Sequence, residues 1–237
     1  MAFECVSRTH VGLRRKVNED SLAVRTERGL WAVADGMGGH QAGDVASAKV
    51  TEALLNLPIV YGLDSLTASA VAALEAVNHE LIELAGSTEV ERSIGSTVVG
   101  LAIAGDEYRA FWAGDSRAYR LRDGKVEQLT RDHSLVQSLV DAGMLQPDEA
   151  EHHPNANIIT RAVGVAPDLS VETVSGDVAA GDQFILASDG LTRLVDDHEL
   201  AEELRTGSMD EGADRLIDKV LSRGAPDNAT LIIVRVK

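Results

Sequence analysis

The sequence predicts an α+β fold, a four-layer α-β-β-α sandwich in which two central antiparallel sheets are flanked by helix pairs. Strand-like and helix-like segments are grouped along the chain as strands, two helices, strands, two helices and a last strand. A doubly wound parallel sheet would require the two kinds of segment to alternate regularly. The 237 residues, 44% of them hydrophobic, can build a core and show no linker or repeat. We therefore expect one domain over residues 1–237.

The first half of the chain starts with strands and continues with two helices. Residues 2–10 and 21–34 alternate or run apolar, as strands do, and a polar break at 27–29 makes the second stretch a hairpin. Helical spacing over 41–57 stops at a proline. Residues 65–85 are rich in Ala, Leu and Val and contain few helix breakers, so they predict a second, longer helix.

The second half returns to strands and then to helices. Strands are predicted at 96–104, 108–113, 117–122, 169–174, 182–188 and 229–236. Helices are predicted near 134–142, 197–205 and 209–222. Residues 143–157 are polar and follow no regular pattern, so we expect an irregular stretch there.

Composition and charge exclude several classes of function. A formal net charge of −16 argues against nonspecific nucleic-acid binding, which needs clustered Lys and Arg. No segment approaches the roughly 20 continuous apolar residues of a membrane helix, and the N-terminus has no signal-peptide pattern. The single Cys5 cannot form an internal disulfide. We therefore expect a cytoplasmic protein that binds neither nucleic acid nor membrane.

Four short acidic segments stand at the ends of predicted strands. Their members are Glu19-Asp20, Asp35, Asp189 and Asp227. A buried carboxylate is costly unless a cation meets it, and several converging carboxylates repel one another. Hard divalent cations such as Mg²⁺ and Mn²⁺ prefer oxygen ligands, and Gly36, which lacks a side chain, adds an accessible carbonyl. The pattern predicts a metal site and indicates metal-assisted chemistry on a phosphate.

The glycine-rich turn that follows Asp35 has a second interpretation, a dinucleotide-binding loop. The Gly-Met-Gly run at 36–38 fits the start of that fingerprint, but its sixth position is Gln41 rather than Gly. The leading Asp would also oppose a pyrophosphate, and no regular βαβ pattern follows. The metal interpretation of Asp35 and Gly36 explains more of this turn.

Two other candidates are ambiguous when they are taken alone. Arg15, three residues before Asn18, could form an ordinary surface ion pair. Beside a metal cluster, its guanidinium fork would match two phosphate oxygens and keep its charge at any working pH. Gly114-Asp115 could be an ordinary Gly-Asp turn between two strands.

Seven motifs in order, from about Thr9 to Val236, resemble the bacterial branch of the type 2C, metal-dependent Ser/Thr protein phosphatases. They are Arg15-x-x-Asn18-Glu19-Asp20, Val33-Ala34-Asp35-Gly36-Met37-Gly38-Gly39-His40, Gly95-Ser96-Thr97, Gly114-Asp115-Ser116-Arg117, Thr130-Arg131-Asp132-His133-Ser134, Ser188-Asp189-Gly190 and Asp227-Asn228-Ala229-Thr230. Each motif is weak alone, but the ordered set is highly specific.

The resemblance implies a binuclear centre that holds two Mn²⁺ or Mg²⁺ ions. Asp35 would bridge the two metals and the Gly36 carbonyl would bind one of them. Asp189 and Asp227 would complete the ligands of the other metal.

The resemblance also implies roles around that centre. Glu19 and Asp20 would act mainly through metal-bound water, and Asp115, with Asp189, would bind a third, weaker cation. Arg15 would hold the substrate phosphate, so it is the candidate catalytic and substrate-binding residue. Residues 143–157 would form the mobile flap that affects substrate choice.

The implied reaction is hydrolysis of phosphoserine or phosphothreonine on proteins by a metal-bridged hydroxide, performed by a monomer that opposes a bacterial Ser/Thr kinase and acts on its targets. Many eukaryotic members carry a His, proposed as general acid, where this chain has Met37. The acid is therefore left open between water on the third metal, His40 and His133, and for His133 a capping or core role is favoured.

Two other functions remain as alternatives. One is a phosphatase-like regulatory module that binds a partner without catalysis, although such modules typically lose metal carboxylates that this chain keeps. The other is a metal-dependent phosphodiesterase or nuclease, which the acidic balance and the lack of a basic stripe disfavour.

Overall fold

The computed structural model describes residues 2–38, 42–86, 94–150 and 153–237. The strands are β1 (Phe3–His10), β2 (Asp20–Arg25), β3 (Leu30–Met37), β4 (Gly95–Ser96), β5 (Val98–Ala104), β6 (Glu107–Ala113), β7 (Arg117–Arg122), β8 (Lys125–Gln128), β9 (Glu172–Asp177), β10 (Gln183–Ala187) and β11 (Ala229–Val236). The helices are α1 (Ala42–Leu55), α2 (Leu63–Gly86), α3 (Leu135–Asp141), α4 (Pro147–Ala150), α5 (Asp189–Thr192), α6 (Asp197–Arg205) and α7 (Met209–Ser222). His40 lies outside the described residues.

The strands form two antiparallel sheets. Sheet I has the order β1-β11-β10-β7-β8, and sheet II has the order β2-β3-β5-β6-β9 with β4 paired to the end of β3. The first and last strands of the chain pair along their full lengths, from Phe3 opposite Val236 to His10 opposite Ala229. This pairing brings the loop before β11 next to the loop after β1.

The two sheets stack face to face, and helices cover their outer faces. Within the described residues, one hydrophobic cluster lies between the sheets and contains Trp31, Val33 and Phe184. A second lies under α1 and α2 against sheet II, and a third lies under α6 and α7 against sheet I. Side chains alternate across a strand, so Trp31 and Val33 face the other sheet while Ala32 faces the helices. The predicted four-layer α+β fold is confirmed.

Several element boundaries differ from the prediction. Strand β3 continues to Met37, because Asp35 pairs with Asp20 on β2 and Gly36 pairs with Ser96 on β4. Asp35 is therefore an internal strand residue and not the residue after a strand end. The prediction missed β8, a short, half-exposed edge strand with only one apolar residue, Val126.

The region between β8 and β10 also departs from the prediction. Strand β9 lies three residues later than the predicted 169–174, because pairing with β6 selects a largely exposed segment that carries little apolar signal. The stretch 143–157, predicted to be irregular, contains the one-turn helix α4 in its described part.

Among the described residues, no helix combines the length and the apolar character needed to cross a bilayer.

Candidate metal centre

Five aspartates from both sheets form the candidate metal centre: Asp20, Asp35, Asp115, Asp189 and Asp227. Asp20 and Asp35 are opposite each other on β2 and β3. Asp189 begins α5 directly after β10, Asp227 precedes β11, and Asp115 lies in the turn between β6 and β7. The five carboxylates therefore come from five different segments, and the stacking of the sheets brings them together.

The main chain holds Asp35 firmly in place. Its N–H donates to Thr97 Oγ1 (3.2 Å), and its carbonyl accepts from the Thr97 N–H (2.8 Å) and from Ser96 Oγ (3.0 Å). Its carboxyl group shares a hydrogen bond with Asp189. Burial, followed by the charges of Asp189 and Asp20, raises the pKa of Asp35 well above its ordinary value. Without a metal, that hydrogen bond between two carboxyl groups requires a proton on one of them.

Asp20 links the two sheets at this point. Ser188 Oγ donates to Asp20 Oδ2 (2.8 Å) from the end of β10, and the Thr230 N–H donates to Ser188 Oγ (3.0 Å). Asp20 Oδ1 is buried and has no hydrogen-bond partner in the described part of the chain. Burial raises the pKa of Asp20 to about 7, while the hydroxyl hydrogen bonds oppose the shift. An unpartnered buried oxygen of this kind is a ready ligand for a cation.

Asp115 and Asp189 share a cationic neighbour, Arg193. Arg193 Nη2 lies 3.2 Å from Asp115 Oδ2, and its Nε lies 2.9 Å from Asp189 Oδ2. Asp115 Oδ1, like one oxygen of Asp20, is buried without a partner among the described residues. Burial, and then the charge of Asp189, raises the pKa of Asp115 to about 7. Burial also raises the pKa of Asp189, and Arg193 acts against that shift.

Gly36 lies where β3 meets the start of α1. Its N–H donates to the Glu19 carbonyl (3.0 Å), and a Cβ added to it would lie 1.9 Å from the Gly43 carbonyl oxygen. A Cβ added to Gly43 would in turn lie 2.8 Å from the Gly36 carbonyl oxygen. Both positions therefore require glycine, because no side chain fits between the strand and the helix.

Glu19 lies against the beginning of α1 rather than free in the cluster. The Gly43 N–H donates to its carboxylate, an arrangement that the positive end of a helix favours. Burial nevertheless raises the pKa of Glu19 above its ordinary value. Its own N–H donates to Asn228 Oδ1 (2.8 Å), so the residue is fixed at both its main chain and its side chain.

Arg15 lies at the exposed rim and contacts Asp227. Arg15 Nη2 is 2.7 Å from Asp227 Oδ2, with side-chain exposures of 47% and 37%. This hydrogen bond raises the pKa of the Arg15 guanidinium, and the Asn228 N–H donates to the other oxygen of Asp227 (2.8 Å). The sequence suggested that Arg15 holds a phosphate, and the structure adds that a carboxylate of the centre orients it. A guanidinium has five N–H donors, so others stay available to a ligand.

Three residues that position the centre received no role from the sequence: Ser188, Arg193 and Asn228. Asn228 Nδ2 donates to the carbonyls of Val11 (2.8 Å) and Val17 (3.0 Å), and so holds the loop that carries Arg15. The signal for Ser188 and Asn228 was their position next to an aspartate of the centre. The signal for Arg193 was its place one helical turn after Asp189.

His133 is enclosed by structural contacts. Its Nδ1 accepts from the Gly114 N–H (3.1 Å), and its ring stacks on Trp112 with centroids 5.9 Å apart. Its Nε2 lies 3.3 Å from Glu172 Oε1 and 3.1 Å from Arg161 Nη1. Burial, and then the charge of Arg161, lowers the pKa of His133. These contacts support the core role expected for it, with a neutral ring that orders the turn containing Asp115.

The donor set fits hard divalent cations. No three His, Cys, Asp or Glu side chains among the described residues have the close spacing of a preassembled metal site. The aspartates are nevertheless near enough to raise one another's pKa, and two of them have buried oxygens without hydrogen-bond partners. A cation would offset the repulsion between the carboxylates and would give the buried oxygens a partner. An all-oxygen set of ligands suits Mg²⁺ or Mn²⁺. We conclude that the residues present could hold such ions after small side-chain movements.

Comparisons with known proteins agree with this geometry. The family model for protein phosphatase 2C matches residues 9–227. The serine/threonine protein phosphatase PstP of Mycobacterium tuberculosis is 39% identical over 242 residues, which cover 100% of this chain and 45% of PstP. The chain thus spans less than half the length of this curated relative.

Two solved structures share the fold. PppA, a key regulatory component of T6SS in Pseudomonas aeruginosa, is 41% identical with a TM-score of 0.91, over 100% of this chain and 99% of that chain. The catalytic domain of PstP in complex with two manganese ions is 36% identical with a TM-score of 0.88, over 99% of each chain. Together with the family match over most of the sequence, they show that this chain belongs to the protein phosphatase 2C family.

Proposed function

We propose that this chain hydrolyses phosphoserine and phosphothreonine on proteins with the help of two divalent cations, Mn²⁺ or Mg²⁺. One observation carries the proposal: the hydrogen-bonded carboxyl groups of Asp35 and Asp189 lie beside buried, unpartnered oxygens of Asp20 and Asp115. Hard cations bind oxygen clusters of this kind. The two manganese ions in the PstP catalytic domain support the same choice of metal.

The residues that would hold the two cations are Asp35, Asp189 and Asp227, together with the Gly36 carbonyl. Asp20, with its free oxygen, would act one step further out, through water. When they are bound, the cations supply a nucleophilic hydroxide near neutral pH and neutralise charge on the phosphate.

The chain's own residues bring the substrate to that centre. A phosphoserine carries about −1.5 to −2 charge at pH 7 and would be repelled by bare carboxylates. Arg15 is an exposed cation at the rim of the centre, and its donors that do not contact Asp227 can bind two phosphate oxygens. Arg15 therefore binds and orients the phosphate while the carboxylates stay committed to the metals.

No protein nucleophile is required for this reaction. Cys5 lies on β1, and burial raises the pKa of its thiol, which disfavours the reactive thiolate of a cysteine phosphatase. Met37 cannot donate a proton, and His133 is enclosed by the contacts described above. The leaving serine or threonine oxygen would therefore take its proton from water or from His40, which lies outside the described residues.

The wider role goes beyond what the relatives' names state. We infer that the substrates are phosphorylated proteins, as the name of the serine/threonine protein phosphatase PstP suggests, and that a Ser/Thr kinase which the enzyme opposes phosphorylates them. The chain would act in the cytoplasm as a monomeric, single catalytic domain, and a reducing compartment suits the free Cys5. The flap at 143–157 would influence which phosphoproteins are accepted.

The direct test is turnover of a phosphoserine peptide with and without added Mn²⁺. We expect release of phosphate with Mn²⁺, no release in excess chelator, and recovery when the metal is restored. Full turnover in excess chelator would overturn the proposal. A regulatory module would bind the peptide without releasing phosphate, and a phosphodiesterase would prefer bis(p-nitrophenyl) phosphate to p-nitrophenyl phosphate.

A further inference from the structure

A fixed cation already lies between two aspartates of the metal centre. Arg193 contacts Asp189 through Nε (2.9 Å) and Asp115 through Nη2 (3.2 Å). The Asp115 and Asp189 side chains are only 5% and 16% exposed, so water screens these two contacts weakly. One guanidinium therefore offsets part of the charge of two carboxylates, one in the turn that joins the two sheets and one at the start of α5.

The contact with Asp115 has no purely local explanation. An ion pair at i,i+4, such as Arg193 with Asp189, commonly supports a helix. Asp115 is 78 residues away in sequence, and α5, which is only four residues long, does not need it. The second contact instead joins the β6–β7 turn to the first residue of α5, at the edge of the metal centre.

A cavity of about 190 Å³ opens beside this ion pair. Its walls include Asp115, Asp189 and Arg193, with Arg117 and Asp132 further along. Arg117 is committed to Asp132 through contacts of 2.8, 2.9 and 3.1 Å, so it leaves the other two carboxylates to Arg193. The space could admit a hydrated cation, and the wall residue Asp115 has one oxygen, Oδ1, that is buried without a partner among the described residues.

We propose that Arg193 is a built-in counter-cation for Asp115 and Asp189, and that it keeps a third divalent ion from binding tightly at this edge. The inference rests on the proposed two-metal function, because it concerns how many ions the same carboxylates hold. A guanidinium stays charged at every working pH and remains covalently attached. A third ion must therefore displace Arg193 from Asp189, from Asp115 or from both.

The displacement is feasible but unfavourable. The Arg193 side chain is 36% exposed, so it can move into water. Each contact that it leaves behind must be replaced by the incoming ion, which leaves Asp115 as a weak site rather than an absent one. The position of Arg193 thus affects how many cations bind, and Arg193 does so while it also contacts Asp189, one of the residues proposed for the two tight sites.

The experiment counts bound Mn²⁺ without measuring catalysis. Metal-free protein is titrated with Mn²⁺ by calorimetry, and free Mn²⁺ is followed in parallel by its electron paramagnetic resonance signal. The samples are the parent, Arg193→Gln, which removes the charge, Arg193→Lys, which keeps it, and the double variant Arg193→Gln/Asp115→Asn. Arg131→Gln is the matched control, because Arg131 pairs with Asp141.

We expect two tightly bound ions in the parent, in Arg193→Lys and in Arg131→Gln. Arg193→Gln should bind a third ion at least about tenfold more tightly than the parent, because an opposing charge a few ångströms away is gone. The double variant should lose the tighter binding of the third ion, and that loss would show that Asp115 binds this ion. Melting curves check that each variant folds.

Three outcomes would overturn the inference. One is a parent that binds three Mn²⁺ ions with similar affinities. This measurement needs no variant, so it tests the inference even if Arg193→Gln fails to fold. Another is an Arg193→Gln variant that binds the same number of Mn²⁺ ions as the parent, with the same affinities. A parent that binds no Mn²⁺ would overturn the two-metal function itself and this inference with it, whereas the first two outcomes leave that function standing.

Discussion

Asp35 and Asp189 show what it costs to gather carboxylates in a protein interior. Both have a raised pKa, chiefly because they are buried, and they meet through a hydrogen bond that needs a proton. Without metal, the protein must either hold that proton or accept repulsion between two negative charges. A divalent cation removes the conflict, so the binding of metal and the stability of the site are linked.

Removing either carboxylate charge should abolish catalysis without unfolding the chain. We expect Asp35→Asn and Asp189→Asn to lower kcat by about 10²-fold or more, because a metal ligand and its charge are lost. The metal-free variants should melt at or above the temperature of the metal-free parent, since one repelling charge has gone. Phosphopeptide turnover and circular dichroism melts provide the measurements.

Asp123→Asn is the matched control for this pair. Asp123 lies in the Asp-Gly turn between β7 and β8 and has a positive φ of 50°, which Asn tolerates. Its turnover should equal that of the parent. Normal rates in Asp35→Asn would show that the site is misplaced.

Arg15 should act on substrate binding more than on the chemical step. Arg15→Ala removes the exposed guanidinium and should raise KM about 10- to 100-fold, with a smaller change in kcat. Arg14→Ala, at the exposed neighbouring position, should keep KM and kcat within about twofold of the parent values, since charge alone at a solvated site contributes little to binding. Equal effects of the two variants would mean that general charge, and not the Arg15 fork, binds phosphate.

The sequence revealed the candidate ligands but not the residues that hold them. Asp35 and Asp189 were recognisable because each directly follows an apolar run. Arg193 and Asn228 act on partners 78 and more than 200 residues away, and such contacts exist only after the sheets have stacked. No local pattern encodes them, so residue types near the motifs were the only available hint.

At the scale of elements, the loop between β1 and β2 depends on one buried side chain. Asn228, 4% exposed, binds the carbonyls of Val11 and Val17 and the N–H of Glu19 from across the sheet. That loop also carries Arg15, so the contacts of Asn228 link the position of β11 to the residue proposed to bind phosphate.

Asn228→Ala should therefore weaken both the fold and the site. We expect a loss of about 1–3 kcal/mol in the free energy of unfolding, because main-chain groups lose their partners. Affinity for Mn²⁺ should also fall as the loop loosens. Urea titrations and calorimetry measure the two effects, and Asn56→Ala, at an exposed position after α1, is the control. Unchanged stability together with unchanged Mn²⁺ affinity would contradict this role.

The elements themselves were predictable wherever they are strongly apolar or strongly periodic. Helices α2 and α7 and strand β11 matched, because each has a continuous buried face. Strands β8 and β9 were missed or displaced because tertiary pairing, and not their own hydrophobicity, makes them strands. The flap boundaries also stay a prediction, since the sequence there follows no regular pattern.

At the scale of the whole molecule, the acidic centre should make the metal-free protein sensitive to pH. The pKa values of Asp20 and Asp115 rise to about 7 on folding, from an ordinary 3.8, so the folded state binds more protons between these values. The free energy of unfolding must then fall as pH rises through this window. Glu199, with its pKa lowered to about 2, acts only at lower pH, whereas the lowered pKa of His133 opposes the fall within part of this window.

We therefore expect the metal-free protein to lose stability between about pH 5 and pH 8, by an amount on the order of a few kcal/mol. Added Mn²⁺ should restore the lost stability most near the upper end of this pH range, where the carboxylates are charged. Urea titrations in chelator and in Mn²⁺ at several pH values measure this dependence, with Asp115→Asn expected to flatten the slope. A metal-free protein whose stability rises steadily over this range would disprove the assignment of these raised pKa values.

The most direct measurement is an anomalous-scattering map from crystals soaked in Mn²⁺. We expect two adjacent manganese peaks. Asp35 should contact both of them, and Asp189 and Asp227 should contact one of them. Density for manganese elsewhere on the protein, and none beside Asp35, would contradict the proposal that these distant aspartates form one metal centre.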